Sequence, residues 1–309
     1  MLNIIGKRQI HLAVSAILIV VAIISLSVKG LNFGVDFTGG SLIRLRFERH
    51  VSAGEISQVL ISDPLADMNL KKAVVQLVRG TNDVQIRAQV EGKPLADLQV
   101  SRVINELSER LGSLDLVESQ MVEAVIGREI LNKAVLAVVI SCLGIVAYIS
   151  LRFEFKFGVA AVYALIHDAL IVLGVFAFLG RQINSPFIAA ILTIIGYSIN
   201  DTIVIYDKIR ENLGFRKKET VEETANNSIL QTMRRSINTV VTTLLAVLAL
   251  YIFGGDSIKD FSLAIIIGLL VGTYSSIFIA PSVWVEWTLW DGNRKRHRVA
   301  SGGTSPRET

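Results

Sequence analysis

Long apolar runs, separated by charged intervals, set the rhythm of this chain. Six of them are uncharged or nearly so: Leu12 to Val28, Ala134 to Leu151, Phe157 to Leu179, Phe187 to Tyr206, Ile237 to Phe253 and Phe261 to Val285. A helix of about 20 residues crosses the hydrocarbon core of a bilayer, so each run predicts a membrane span. Lys29-Gly30-Leu31-Asn32 follows the first run. That is no small-residue cleavage pattern, so the run reads as a retained anchor. The sixth run is long enough to tilt, and Trp284, Trp287 and Trp290 are predicted to form an aromatic belt where it ends.

Residues 30–130 keep a different period. From Ser41 to Glu48, Ile43, Leu45 and Phe47 alternate with Arg44, Arg46 and Glu48, as a half-buried strand requires. Ser52 and Glu55 have capping-box spacing at the head of a helix over Ala53 to Ile61. Ala73 to Arg79 and Val84 to Val90 read as a hairpin around the Gly80-Thr81-Asn82-Asp83 turn. Leu98, Ile104, Leu107 and Leu111 mark a second helix, and Leu114 to Val122 a last strand. The order βαββαβ predicts a small ferredoxin-like α+β domain with one sheet face left free for a partner. The expected fold class is therefore an α-helical polytopic membrane protein of six transmembrane helices, with that domain between helices 1 and 2.

Composition agrees: 51% of the 309 residues are hydrophobic and 19% charged, a balance that one soluble core of this size cannot bury. A net charge of +4 gives no reason to expect nucleic acid. Its distribution is more informative. Lys7 and Arg8, Arg152 and Lys156, seven cations between Lys208 and Arg235, and Arg294, Lys295, Arg296, Arg298 and Arg307 fall on one side of the spans; the short loops opposite carry Arg181 and Lys259. The positive-inside rule then places both termini in the cytoplasm. Residues 1–29 form the cytoplasmic N-terminus and helix 1, 30–130 a periplasmic domain, 131–290 the five-helix membrane region and 291–309 a basic cytoplasmic tail. Cys142 has no second cysteine for a disulfide, and His11, His50, His167 and His297 show no ligand spacing, so neither metal nor cofactor is expected.

Ionisable residues inside spans are costly and so are candidates for function. His167, Asp168 and Asp201 qualify, and Arg235 stands at the mouth of span five. Asp201 lies ~8 Å from the end of span four at Tyr206, within reach of an arginine extending from the next span. Thr193, Gly196 or Tyr197, Asn200, Val204 and Asp207 draw a small or polar stripe on span four, and Arg235, Asn238 or Thr239, Thr242, Ala246 and Ala249 one on span five. Lipid penalises both, so both are expected to face the bundle. Gly268, Gly272, Ser276 and Ala280 repeat every four residues on span six, a seam for close packing. From position alone Arg235 reads as a cytoplasmic anchor, and Asp168 as a group that bonds to Asn or Thr on neighbouring helices.

Two stretches are more specific. Phe33-Gly34-Val35-Asp36-Phe37-Thr38-Gly39-Gly40 follows span one, and Gly196-Tyr197-Ser198-Ile199-Asn200-Asp201-Thr202 runs on to Ile209-Arg210-Glu211-Asn212. Both resemble the SecD/SecF family, the Asn-Asp-Thr form being similar to its SecF branch. In their own right the motif glycines Gly34, Gly39 and Gly40 supply backbone freedom at a helix-to-strand junction, while Asp36 and Thr38 satisfy turn amides. The resemblance implies an accessory subunit of the Sec protein translocase in the bacterial inner membrane, driven by the proton motive force. It also implies partners: SecD, the SecYEG channel, SecA, YajC and translocating preproteins. It makes Asp201, Arg235, Asn200, His167 and Asp168 the proton-coupling residues, and Gly34, Asp36, Phe37, Thr38, Gly39 and Gly40 the family motif.

A second reading is a half-size proton-coupled RND-type transporter of small molecules, since six spans are half of the twelve usual there. A third, an intramembrane enzyme, lacks a serine-histidine pair or a His-Glu-x-x-His helix.

Overall fold

The computed structural model of the protein describes residues 2–78, 81–91, 93–122, 124–215, 219–254 and 256–301. Gly80 of the predicted turn, the cations Arg216, Lys217 and Lys218, and the tail from Gly302 through Arg307 lie outside the described residues. In chain order the elements are α1 (Arg8–Lys29), β1 (Asn32–Phe33), α2 (Val35–Thr38), β2 (Gly40–Phe47), α3 (Ala53–Ile61), β3 (Val74–Leu77), β4 (Asp83–Ala88), α4 (Asp97–Leu111) and β5 (Leu114–Val122). There follow α5 (Ala124–Arg152), α6 (Phe155–Leu179), β6 (Gln182–Ile183), α7 (Ser185–Phe215), α8 (Val221–Phe253), α9 (Asp256–Tyr274) and, after a π-helical turn at Ser275–Ile279, α10 (Ala280–Ser301).

Among the described residues six helical stretches are long and apolar enough to cross a membrane: Ile5–Lys29, Gly127–Arg152, Phe155–Leu179, Ser185–Phe215, Val221–Phe253 and Ile258–Gly292. Each contains one predicted run, so the chain is a multi-pass membrane protein. Helix α8 outruns its apolar stretch because its start signal lies in polar sequence. In α8, Thr220 accepts the Glu223 amide and Glu223 the Thr220 amide, a capping box well before the apolar run begins at Ile237.

Two compact units result, one of residues 33–136 with 183–185, the other of residues 1–32, 137–182 and 186–309. In the α+β unit the strand order is β3-β4-β2-β5, antiparallel throughout, which is the predicted ferredoxin-like arrangement. Ile43, Leu45 and Phe47 point under the helices, where Ile56, Leu60, Val103 and Leu107 close the core. Val117 is an extra residue in β5 that bulges the ladder between Arg44 and Leu45. On the other face Arg46 donates to Asp83 at 2.7 Å and Arg44 at 3.1 Å, and the Asp83 side chain has no exposed surface. The Ser52–Glu55 capping box forms as predicted.

Close contacts through small residues hold the membrane unit together. Gly174 of α6 meets Ala22 of α1, and the span-six seam packs on α7, Gly268 against Ile194 and Gly272 against Ser198. One tryptophan departs from the predicted belt. Trp284 is 2% exposed and stacks on Phe157 at 4.6 Å, because a large ring gains more from a flat aromatic partner inside the bundle than from the interface. At the same end, Asn226 of α8 accepts the amides of Ile4 and Ile5, which no helical turn satisfies, and Arg8 pairs with Glu286 and Glu222.

Candidate functional site

His167 and Asp168 sit about halfway along α6, each 1% exposed. Asp168 Oδ2 accepts the hydroxyls of Ser198 on α7 at 2.7 Å and of Ser275, first residue of the π-turn, at 2.8 Å. Its Oδ1 lies 3.0 Å from His167 Nδ1. One carboxylate thus gathers groups from three spans. A second layer joins the same elements: Thr202 and Ser276 have their hydroxyls 2.9 Å apart, and both reach the Ser198 carbonyl. Gly272 makes room, since a Cβ there would fall 3.2 Å from that of Ser198. A carboxylate left unbonded in such surroundings costs several kcal/mol, which the converging donors offset.

Asp201 lies one turn further along the same buried face of α7 and is 7% exposed. The groups of α8 that act on it are Ser236, which is wholly buried, and Arg235. Among the described residues Arg235 forms no ion pair with the Asp201 carboxylate, and it is itself exposed. The structure therefore brings His167 to Asp168 and sets Arg235 near enough to act on Asp201 through its charge, without an ion pair between them. Asn200 is exposed too, as are Gly196, Tyr197 and Asp207 on α7 and Asn238, Thr242, Ala246 and Ala249 on α8. This corrects the expectation that both stripes turn into the bundle. Lipid does penalise them, but within this chain the bundle face of α7 is Ser198, Asp201, Thr202 and Ile205.

The glycine motif forms a site of its own in the α+β unit. Gly39 and Gly40 have φ of 72° and 113°, values that residues with a side chain rarely adopt, and Gln89 donates to the carbonyls of Thr38 and Gly39. Phe37 is buried, and its carbonyl lies against Gly127. Thr38 donates to the Gly34 carbonyl at 3.1 Å rather than serving an amide. Asp36 also does other than predicted: it accepts the amide of Ser185, 149 residues away, at 2.7 Å. Ser185 opens α7, where unpaired amides and the helix dipole favour a carboxylate. Among the described residues no group of three His, Cys, Asp or Glu is placed to hold a metal.

The sequence profile of the family described as "Protein export membrane protein SecD/SecF, C-terminal" matches residues 103–290, and that of the SecD/SecF GG motif matches 24–49. The chain belongs to the SecD/SecF family. Among its relatives, a "Protein translocase subunit SecF" from Desulfurispirillum indicum is 41% identical over 91% of this chain and 90% of its own length. A protein of the same description from Pseudomonas aeruginosa is 38% identical, covering 94% and 93%. The crystal structure of SecDF, a translocon-associated membrane protein from Thermus, superposes with a TM-score of 0.84 at 35% identity, over 93% of this chain and 38% of that one.

For a SecD/SecF-family chain, the serines are what sequence reasoning missed. Ser198 and Ser275 bind Asp168, and Ser236 stands by Asp201, yet a single serine in an apolar run carries no signal, since its hydroxyl is served by its own helix as a rule. The π-turn was equally silent. Arg181 and Asp260 also pair, at 3.2 Å, joining the α6–α7 loop to α9.

Proposed function

We propose that this chain is the SecF-type subunit of a bacterial protein translocase, paired with SecD, and that it helps to drive preproteins across the inner membrane at the expense of the proton gradient. Its termini face the cytoplasm on this reading, and it works beside SecYEG and SecA, with YajC as a further associate. The carrying observation is the outward polar face of α7 and α8. Asn200, Asn238 and Thr242 cannot stand against lipid at low cost, so a second bundle covers them. The SecDF chain, of which this protein matches 38%, has the length to supply one.

Asp201 is the proton carrier in this scheme. It now faces Ser236 with Arg235 one residue, about 100° of helix, away. Covering Arg235 with a partner withdraws it from water, and a turn of α8 brings it opposite Asp201; the carboxylate is ionised when the guanidinium is near and protonated when it leaves. Asp201→Asn keeps the shape and removes the titration. In inverted membrane vesicles with a measured proton gradient, this variant is expected to copurify with SecD yet lose gradient-dependent stimulation of export. Normal stimulation would make Asp201 structural and end the proposal.

A further inference from the structure

Building on the proton-carrier reading of Asp201, we infer that Asp168 is a positioning residue: with Ser198 and Ser275 it locks α7 to α6 and the π-turn, and so sets where Asp201 stands. Ser198, Asp201 and Thr202 follow one another at i, i+3 and i+4, so they share one face of α7. Asp201 is thus flanked on its own helix by two anchored residues, Ser198 held by Asp168 and Thr202 held by Ser276. Turning α7 by one residue would break both anchors. Asp201 therefore has a fixed seat on α7, facing the buried Ser236 of α8.

Geometry also argues against Asp168 as a second carrier. Its oxygens are engaged by two hydroxyls and an imidazole, and it is 1% exposed. From there the bonds lead only as far as the Ser198 and Ser275 hydroxyls and the Gly272 carbonyl; Thr202 and Ser276 bond to each other and to the Ser198 carbonyl, which passes no proton onward. His167 Nε2 is buried with no partner. Among the described residues every branch stops inside the bundle. The contacts instead suit a fixed part, because a π-turn presents Ser275 and Ser276 in succession to α6 and α7, and such turns recur at functional sites.

The test is made on the full chain with its partner in membranes, using dicyclohexylcarbodiimide, which reacts with protonated carboxyls in apolar surroundings. Labelling of Asp201 is followed against pH by mass spectrometry in Asp168→Asn and in Ser198→Ala combined with Ser275→Ala. Both are expected to move the labelling midpoint at Asp201 by about half a pH unit, roughly threefold in protonated fraction, and to weaken gradient-driven stimulation in parallel. If Asp168→Asn abolished stimulation while the Asp201 midpoint stayed put, Asp168 would be a carrier and the inference wrong. Wild-type behaviour of both variants would overturn it as well. Should the double serine variant fail to assemble, Ser275→Ala alone decides in the same two measurements. The labelling does not depend on transport, so a failure of the carrier reading at Asp201→Asn is seen separately.

Discussion

Replacing Gly174 by alanine tests the packing on which the membrane unit depends. The new Cβ would lie 2.6 Å from the Cα of Ala22, an atom of the facing backbone. Carbon atoms rest at about 3.5–4.0 Å, so α1 and α6 must part by roughly 1 Å. Overpacking of this kind costs about 1–3 kcal/mol, and the upper end applies because a backbone atom cannot rotate away. Gly268→Ala is milder in expectation: the atoms it meets belong to the Ile194 side chain, Cγ2 at 2.8 Å among them, and that chain can change rotamer. Gly144→Ala has no neighbour within 4 Å and is predicted neutral, or stabilising by up to ~1 kcal/mol through helix propensity. Unfolding of the purified protein in mixed micelles by titration with dodecyl sulfate measures all three. Gly174→Ala should lose about 2–3 kcal/mol, partly recovered by Ala22→Gly in the same chain. Equal stability of Gly174→Ala and Gly144→Ala would refute the close α1–α6 contact.

Arg46 bonded to Asp83 holds that carboxyl below the usual carboxylate range, with Arg44 adding to the effect. Its stabilising contribution is therefore complete above the unfolded value near 4 and disappears as pH falls through the lower folded value. Asp83→Asn is expected to cost about 2–3 kcal/mol at neutral pH, and the gap from wild type to close as pH falls through the lowered folded value, as read from hydrogen exchange at β2 and β4. Arg8→Glu sets like charges beside Glu286 and Glu222; since Glu286 is 43% exposed, the loss stays below about 1 kcal/mol, and Glu286→Arg in the same chain restores most of it in a double-mutant cycle of thermal midpoints. Gly196→Leu meets nothing within 4 Å of its Cβ and leaves the chain stable, but it fills the outward face of α7, so copurification with SecD is expected to fall.

Local periodicity is why so much of the fold is legible in the sequence. Six apolar runs predict six spans because lipid penalises charge in any order of packing, and alternation at Ile43, Leu45 and Phe47 predicts a strand because successive side chains point to opposite faces. The capping box at Ser52 and Glu55 spans three residues and is visible for the same reason. His167, Asp168 and Asp201 stand out through cost alone, whatever they touch. Tertiary structure decided the rest. The bond from Asp36 to Ser185 joins residues 149 apart, and the serines on Asp168 come from helices whose neighbours no periodicity names. Polar stripes on α7 and α8 were visible, but their direction was not: a polar face avoids lipid equally well inside its own bundle or against another, and only the packing of Ser198, Asp201 and Thr202 inward turns Asn200 and its neighbours out.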